Sequence, residues 1–229
     1  LLEPHHEYCD GIRQVRQMLD RRRSADTARM IVVGDADAAV ARSMLSSNLA
    51  HQYARAGLET LLLDAALTAP ALTEAFLPQH TAGFVDILAG TALINDAIVR
   101  DSSSGLSFLP ASAGRPANLQ FDPFGTVLAA HVIDALRDRF DVIIADTGDF
   151  TVWLDSVVLA GHAQQSIVVA PWSTRTVTAL QAQGRVFAQA NLTLTGCVVD
   201  NGAYRVTARS VVADVDRHPA VVLDDVQAA

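Results

Sequence analysis

Short apolar runs, the first of them rich in β-branched residues, recur at Met30 to Val33, Thr60 to Asp64, Leu106 to Pro110, Asp141 to Asp146, Ser166 to Ala170 and Gly196 to Val199. They are continuous rather than alternating, the pattern of strands buried on both faces of a parallel sheet. Between them apolar residues return at helical spacing. This predicts helices over Tyr8 to Arg23, where Ile12, Val15 and Leu19 form one stripe, and from Ser43 to a stop at Gly57. Further helices are expected over Leu72 to Leu77, in short pieces within Gly83 to Ala97, over Asp122 to Phe140 and over Thr174 to Ala190. Pro78 and Gly90 supply turns, and Ala111 to Asn118 is the most loop-like segment. Strands alternating with helices imply an α/β fold, a mainly parallel sheet flanked by helices on both faces. No internal repeat is present. The length suits one domain over residues 1–229, with a helical segment at 1–24 and a weakly structured tail at 218–229.

Two of the strands end in an acid, Asp64 and Asp146, and Asp64 lies at the C-terminal strand edge, where open α/β folds bind ligands. An aspartate opening a loop is also an ordinary turn residue. The strand at Met30 to Val33 ends at Gly34 and leads through a short loop into the helix expected from Ser43, the layout of a phosphate-binding loop. Such a loop needs G-x-x-x-x-G-K-[S/T], so that backbone N–H groups and a lysine face the phosphates and a hydroxyl faces Mg²⁺. The window Ala36 to Ser43 reads ADAAVARS instead, with alanine at Ala36 and Ala41, arginine at Arg42 and only the Ser43 hydroxyl kept. Each added Cβ disfavours positive φ and fills phosphate space, and Asp35 and Asp37 add negative charge. No lysine from elsewhere in the chain can compensate, because all 17 basic residues are arginine.

The formal net charge of −8 argues against nucleic acid or an anionic lipid surface as the main partner. Arg21 to Arg23 is a local basic run, read either as a solvated helix end or as a partner-facing patch. Cys9 and Cys197 fit no metal spacing and give no disulfide framework, which suits a reducing compartment. No apolar run approaches membrane-spanning length and no signal peptide is present. The chain starts at Leu1, and the expectation is a piece of a longer membrane protein. Asp10, Arg13 and Arg16 recur every third residue, a charged stripe that is usually a solvated helix face. The seven histidines form no catalytic or metal pattern.

With these residues placed, the chain resembles the cytoplasmic domain of bacterial tyrosine kinases (BY-kinases) and related polysaccharide co-polymerases, within the ParA/MinD-like P-loop class. The likeness runs from Pro4 to about Asn201. It is carried by LSSNLAHQYARAGLETLLLDAAL from Leu45 to Leu67, FVDILAG from Phe84, LSFLPAS from Leu106 and FDVIIADT from Phe140. The resemblance implies a P-loop NTPase-like three-layer sandwich, with Asp64 on the Walker A′ strand and Asp146 on the Walker B strand. It also implies that YCDGIRQVRQML corresponds to the family's Glu-x-x-Arg-x-x-Arg helix, making Asp10, Arg13 and Arg16 an oligomer interface and residues 1–24 an oligomerisation helix.

The departures from that pattern carry the functional expectation. The family's loop glycines align with Ala39 and Ala41 and its lysine with Arg42, its second Walker A′ acid is replaced in Asp64-Ala65-Ala66, and the tail VVLDDVQAA holds no tyrosine. Gly34, Arg42, Ser43, Asp64 and Asp146 are therefore expected to be a vestigial nucleotide site. No catalytic residue and no cofactor are expected, and Ser43, Asp64 and Asp146 would hold Mg²⁺–nucleotide weakly at most. The expected role is that of a catalytically inactive BY-kinase-like domain in exopolysaccharide biosynthesis, export or chain-length control. It would work as a homo-oligomer with the polysaccharide polymerisation or export machinery, at the cytoplasmic face of the bacterial inner membrane and tied to that membrane by parts outside this chain. The alternatives are a divergent ATPase or tyrosine kinase using Arg42, and a ParA/MinD-like localisation factor.

Overall fold

The computed structural model describes residues 7–21, 29–77, 79, 82–112, 124–200 and 206–210. In chain order the elements are α1 (Glu7–Asp20), β1 (Arg29–Asp35), α2 (Ala39–Arg55), β2 (Thr60–Asp64), α3 (Ala71–Phe76), α4 (Phe84–Leu88), α5 (Ile94–Ala97), β3 (Val99–Arg100) and β4 (Ser107–Leu109). There follow α6 (Val127–Arg137), β5 (Val142–Asp146), α7 (Leu154–Gly161), β6 (Gln165–Pro171), α8 (Thr176–Gln189), β7 (Gly196–Asp200) and β8 (Val206–Ser210).

The strands form one 8-stranded sheet in the order β3-β4-β2-β5-β1-β6-β7-β8. The six central strands run parallel, and the edge strands β3 and β8 are antiparallel to their neighbours. Successive strand residues face opposite sides, and the core divides accordingly. Ile31, Val33, Leu62 and Ile144 pack with α1, α2 and α3 on one face, whereas Met30, Val32, Leu61 and Ile143 pack with α4 to α8 on the other. This is the expected α/β three-layer sandwich. The apolar stripe Ile12, Val15 and Leu19 lies buried against the first face, so α1 is part of this layer.

Where the structure departs from the sequence pattern, local chemistry explains it. The helix expected from Ser43 starts a full turn earlier, at Ala39. Alanine is the best helix former, and the alanines standing where a phosphate loop has glycines extend the helix into the loop. The helix expected over Asp122 to Phe140 is shorter and begins at Val127, where the Thr126 side chain accepts a hydrogen bond from the Ala129 N–H and caps it. Helix α7, the two-residue strand β3 and strand β8 were not anticipated. Most of the predicted Ala111 to Asn118 loop and all of the 218–229 tail lie outside the described residues. Among the described residues no helix is long and apolar enough to cross a membrane.

Candidate functional site

Strands β1, β2 and β5 are neighbours, and their C-terminal ends bring together residues far apart in sequence. Asp64 and Asp146 are cross-strand partners in the β2–β5 register, and Val33 is opposite Asp146 in the β1–β5 register. Arg42 reaches this edge from the first turn of α2. Its Nε donates to Asp146 Oδ1 at 3.0 Å and its Nη2 to Asp146 Oδ2 at 3.3 Å, while Nη1 donates to Asp35 Oδ1 at 2.5 Å. Ser43 Oγ donates to Asp146 Oδ2 at 2.8 Å and Ser46 Oγ to Asp146 Oδ1 at 2.7 Å. Each oxygen of Asp146 thus accepts two hydrogen bonds, about the full capacity of a carboxylate.

The centre is dry. Arg42 is 3% exposed and Asp146 fully buried, so the charges must be compensated locally. Burial opposes the charge on Arg42, but Asp146 and Asp35 outweigh it and raise its pKa above the ordinary value. For Asp146 burial is the largest influence and raises the pKa, with Arg42, Ser46 and Ser43 pulling the other way. Among the described residues Asp64 pairs with no cation: burial, then the neighbouring charge of Asp146, push its carboxyl up to about 6. It accepts hydrogen bonds from the N–H groups of Ala66 and Thr73, which tie the loop after β2 and the start of α3 to the strand end.

The loop itself has been reduced to Ala36, Asp37 and Ala38. Ala36 N–H donates to Val169 O, Ala38 N–H to Asp35 Oδ2 and Arg42 N–H to Ala38 O. These N–H groups, which a phosphate cradle would present to its ligand, are spent inside the protein. Asp37 adopts φ 63°, a left-handed conformation that aspartate tolerates better than most residues. Gly34 is glycine for packing: a Cβ there would stand 2.2 Å from the ring of Phe150. Phe150 in turn meets Phe187 edge to face at 4.8 Å, so the ring has little freedom to retreat.

The residues present do not fit Mg²⁺–nucleotide. The hydroxyl expected on Mg²⁺ is bonded to Asp146, the acid expected near the metal is saturated by Arg42, and the cradle is helix. Among the described residues no group of three acids, histidines or cysteines is placed to hold a metal. A cleft lined by Ala66, Leu67, Trp153 and Ser156 among others has an empty volume of about 240 Å³ counting its open mouth.

The structure thus brings Arg42, Ser43 and Asp146 together, with Asp64 on the adjoining strand, and leaves Gly34 as a packing residue. Asp35 and Ser46 complete the cluster. The sequence had marked Asp35 only as unfavourable charge, and Ser46 not at all, although it lies one helical turn beyond Ser43.

The charged stripe on α1 divides in two. Arg13 pairs with Asp10 on the surface at 2.6 Å. Arg16 instead turns onto its own chain: it donates to Gln52 O at 3.0 Å, pairs with Asp20 at 3.4 Å and lies over the Tyr53 ring at 4.7 Å. Arg29 lies over the same ring at 4.8 Å, and Tyr53 donates its hydroxyl hydrogen bond to Asp20. The three residues therefore do not form one outward face.

Comparison with known proteins places this geometry. No family model matches the sequence. The chain is 25% identical over 170 residues to the succinoglycan biosynthesis transport protein ExoP of Rhizobium meliloti (strain 1021), covering 74% of this chain and 22% of ExoP. It is 27% identical over 150 residues to the tyrosine-protein kinase CpsD of Streptococcus pneumoniae, covering 64% of each. The fold matches the chimerical protein CapA2B2 with a TM-score of 0.77 at 19% identity, over 86% of both chains. It matches the kinase domain of Escherichia coli tyrosine kinase ETK at 0.73 and 20% identity, over 82% of this chain and 73% of that one. The MinD cell division protein of Aquifex aeolicus, in complex with MinC, follows at 0.62 and 17%, over 75% and 68%. The chain is a homologue of bacterial tyrosine-protein kinases, with a BY-kinase-like form of the MinD/ParA P-loop fold. It spans less than a quarter of the length of ExoP.

Proposed function

We propose that this chain is a BY-kinase-like domain that transfers no phosphate. It serves exopolysaccharide biosynthesis, export or chain-length control through oligomerisation and contacts with the polysaccharide machinery. Its place would be the cytoplasmic face of the bacterial inner membrane, to which parts outside this chain would tie it. The name of the relative ExoP, a succinoglycan biosynthesis transport protein, supports the polysaccharide setting.

The observation that carries the reading is the saturation of Asp146 by Arg42, Ser43 and Ser46. Phosphoryl transfer depends on backbone donors, a lysine and Mg²⁺ held where charge develops. Here the acid and the hydroxyl that would hold Mg²⁺ are bonded to each other and to a guanidinium. An enzyme using Arg42 in place of lysine would need that side chain to leave two buried carboxylates.

The test is ATP hydrolysis and autophosphorylation by the purified protein, beside an active bacterial tyrosine kinase. The reading expects neither activity. Turnover that disappears in Asp146→Asn would overturn it.

A further inference from the structure

The guanidinium of Arg42 sits at the meeting point of three elements. It joins the C-terminal end of β1 through Asp35 and that of β5 through Asp146 to the first turn of α2, on which it is carried. Both acids are buried, Asp35 being 4% exposed and Asp146 fully buried, and two carboxylates converging in a dry site repel one another unless a cation lies between them. Asp35 also accepts from the Ala38 N–H at the start of the helix, an end that favours negative charge. The chain therefore supplies from its own side chains both a cation between the acids and an anion at the helix start.

We infer that Arg42 is the resident ligand of this centre: its guanidinium does the bridging that a dissociable divalent cation would do, so the closed arrangement of β1, α2 and β5 forms without Mg²⁺ or nucleotide. This deepens the proposed function and rests on its premise that the centre holds no nucleotide. The planar fork of arginine suits the task, since it contacts both oxygens of Asp146 and still reaches Asp35. Without the guanidinium, Asp35, Asp146 and the Ser43 hydroxyl would be left facing one another. Mg²⁺ needs only one or two carboxylates and completes its shell with water, so those groups suffice for a weak cation site.

The same closure extends to the loop after β5. Thr147 N–H donates to Val33 O, Gly148 N–H to Ser156 Oγ, and Gln183 Nε2 bridges Asp35 O and Asp149 Oδ1. These bonds connect that loop to β1, α7 and α8 through the chain's own groups.

The experiment is thermal melting of the wild-type chain, Arg42→Ala and Arg42→Gln, each in EDTA, in Mg²⁺ alone and in Mg-ATP. The wild-type midpoint is expected to be the same in all three conditions. Both variants should melt lower in EDTA, by about 6–20 °C for Arg42→Ala, the range for a broken buried pair in a chain of this size. Mg²⁺ alone should recover part of that loss. A wild-type midpoint raised by Mg²⁺ or Mg-ATP overturns the inference, and so does a variant that melts lower but ignores Mg²⁺, which would make Arg42 a structural ion pair and nothing more.

Should Arg42→Ala fail to fold, Arg42→Gln, which keeps most of the packing, carries the cation arm. Should both fail, hydrogen exchange of residues 35–43 in the wild type decides: unchanged protection on adding Mg-ATP supports the resident ligand, and altered protection overturns it. Loss of the inference is separable from loss of the proposed function, because only ATP turnover by the wild type sinks the latter.

Discussion

Arg42 and Asp146 are 104 residues apart in sequence and meet in a two-point contact at 3.0 and 3.3 Å, at the C-terminal sheet edge where open α/β folds bind ligands. Removing Arg42 leaves two buried carboxylates without their cation, and removing Asp146 takes the acceptor from Arg42 Nε, Ser43 and Ser46 while Arg42 keeps its pairing with Asp35. Asp146→Ala is expected to lower the unfolding free energy by about 3–5 kcal/mol, and Arg42→Met by a similar amount. Because the residues act as a unit, the double variant should lose clearly less than the two single losses combined. Urea denaturation of the four proteins measures the coupling; strict additivity would mean the contact contributes nothing of its own.

Asp64 gives a pH dependence of defined sign. Its carboxyl is pushed from 3.8 up to about 6 in the fold, so its contribution to stability is fully present below about pH 3.8 and is lost as pH rises through about 6. Above that the ionised group costs about 3 kcal/mol, from the shift multiplied by about 1.4 kcal/mol per unit. Asp64→Asn removes the titration. The stability of wild type relative to this variant should fall between about pH 4 and pH 7 and level off above, and an unchanged difference across that range would contradict the assignment.

Gly34 tests whether the strand end is shaped for phosphate or for packing. Gly34→Ala puts a Cβ into the Phe150 ring and should destabilise the protein by about 1–3 kcal/mol through overpacking. Adding Phe150→Leu should recover part of that loss. If Gly34→Ala melts like wild type, the packing explanation fails.

The α1 stripe separates two roles that its spacing had merged. Arg16→Ala removes a hydrogen bond and a ring contact within the chain and should cost about 1–2 kcal/mol. Arg13→Ala should stay within about 0.5 kcal/mol of wild type. If the helix is an oligomer face, Arg13→Ala lowers the assembled mass seen by light scattering while leaving the melting midpoint in place. Equal masses at every concentration would confine the stripe to a solvated surface.

Much of this architecture was legible in the chain. The strands at Thr60 to Asp64 and Asp141 to Asp146 announced themselves through unbroken apolar runs ending in an acid, and the resemblance set both acids at one sheet edge. The early start of α2 was not legible, because the window was aligned to a loop motif. The alanines that break the motif are also what lets the helix extend. The destination of Arg42 was hidden for another reason: Asp146 becomes its neighbour only when β5 pairs with β1, and no local spacing encodes that. An arginine in the lysine position, seven residues after Asp35 in a chain without lysine, was the available signal. Helix α7 spans 8 residues and the edge strands β3 and β8 span 2 and 5, too short for a period to stand out.

The central claim is that the centre is closed to nucleotide by the chain's own charges. Isothermal titration of the wild-type protein with Mg-ATP tests it most directly, with the triple variant Ala39→Gly, Ala41→Gly and Arg42→Lys as the comparison. Each glycine weakens the first helical turn by about 1 kcal/mol and the lysine releases Asp146 from its two-point contact. The account expects no saturable heat from the wild type or from Arg42→Lys alone, and measurable binding by the triple variant. Saturable, near-stoichiometric binding of Mg-ATP by the wild type would contradict it.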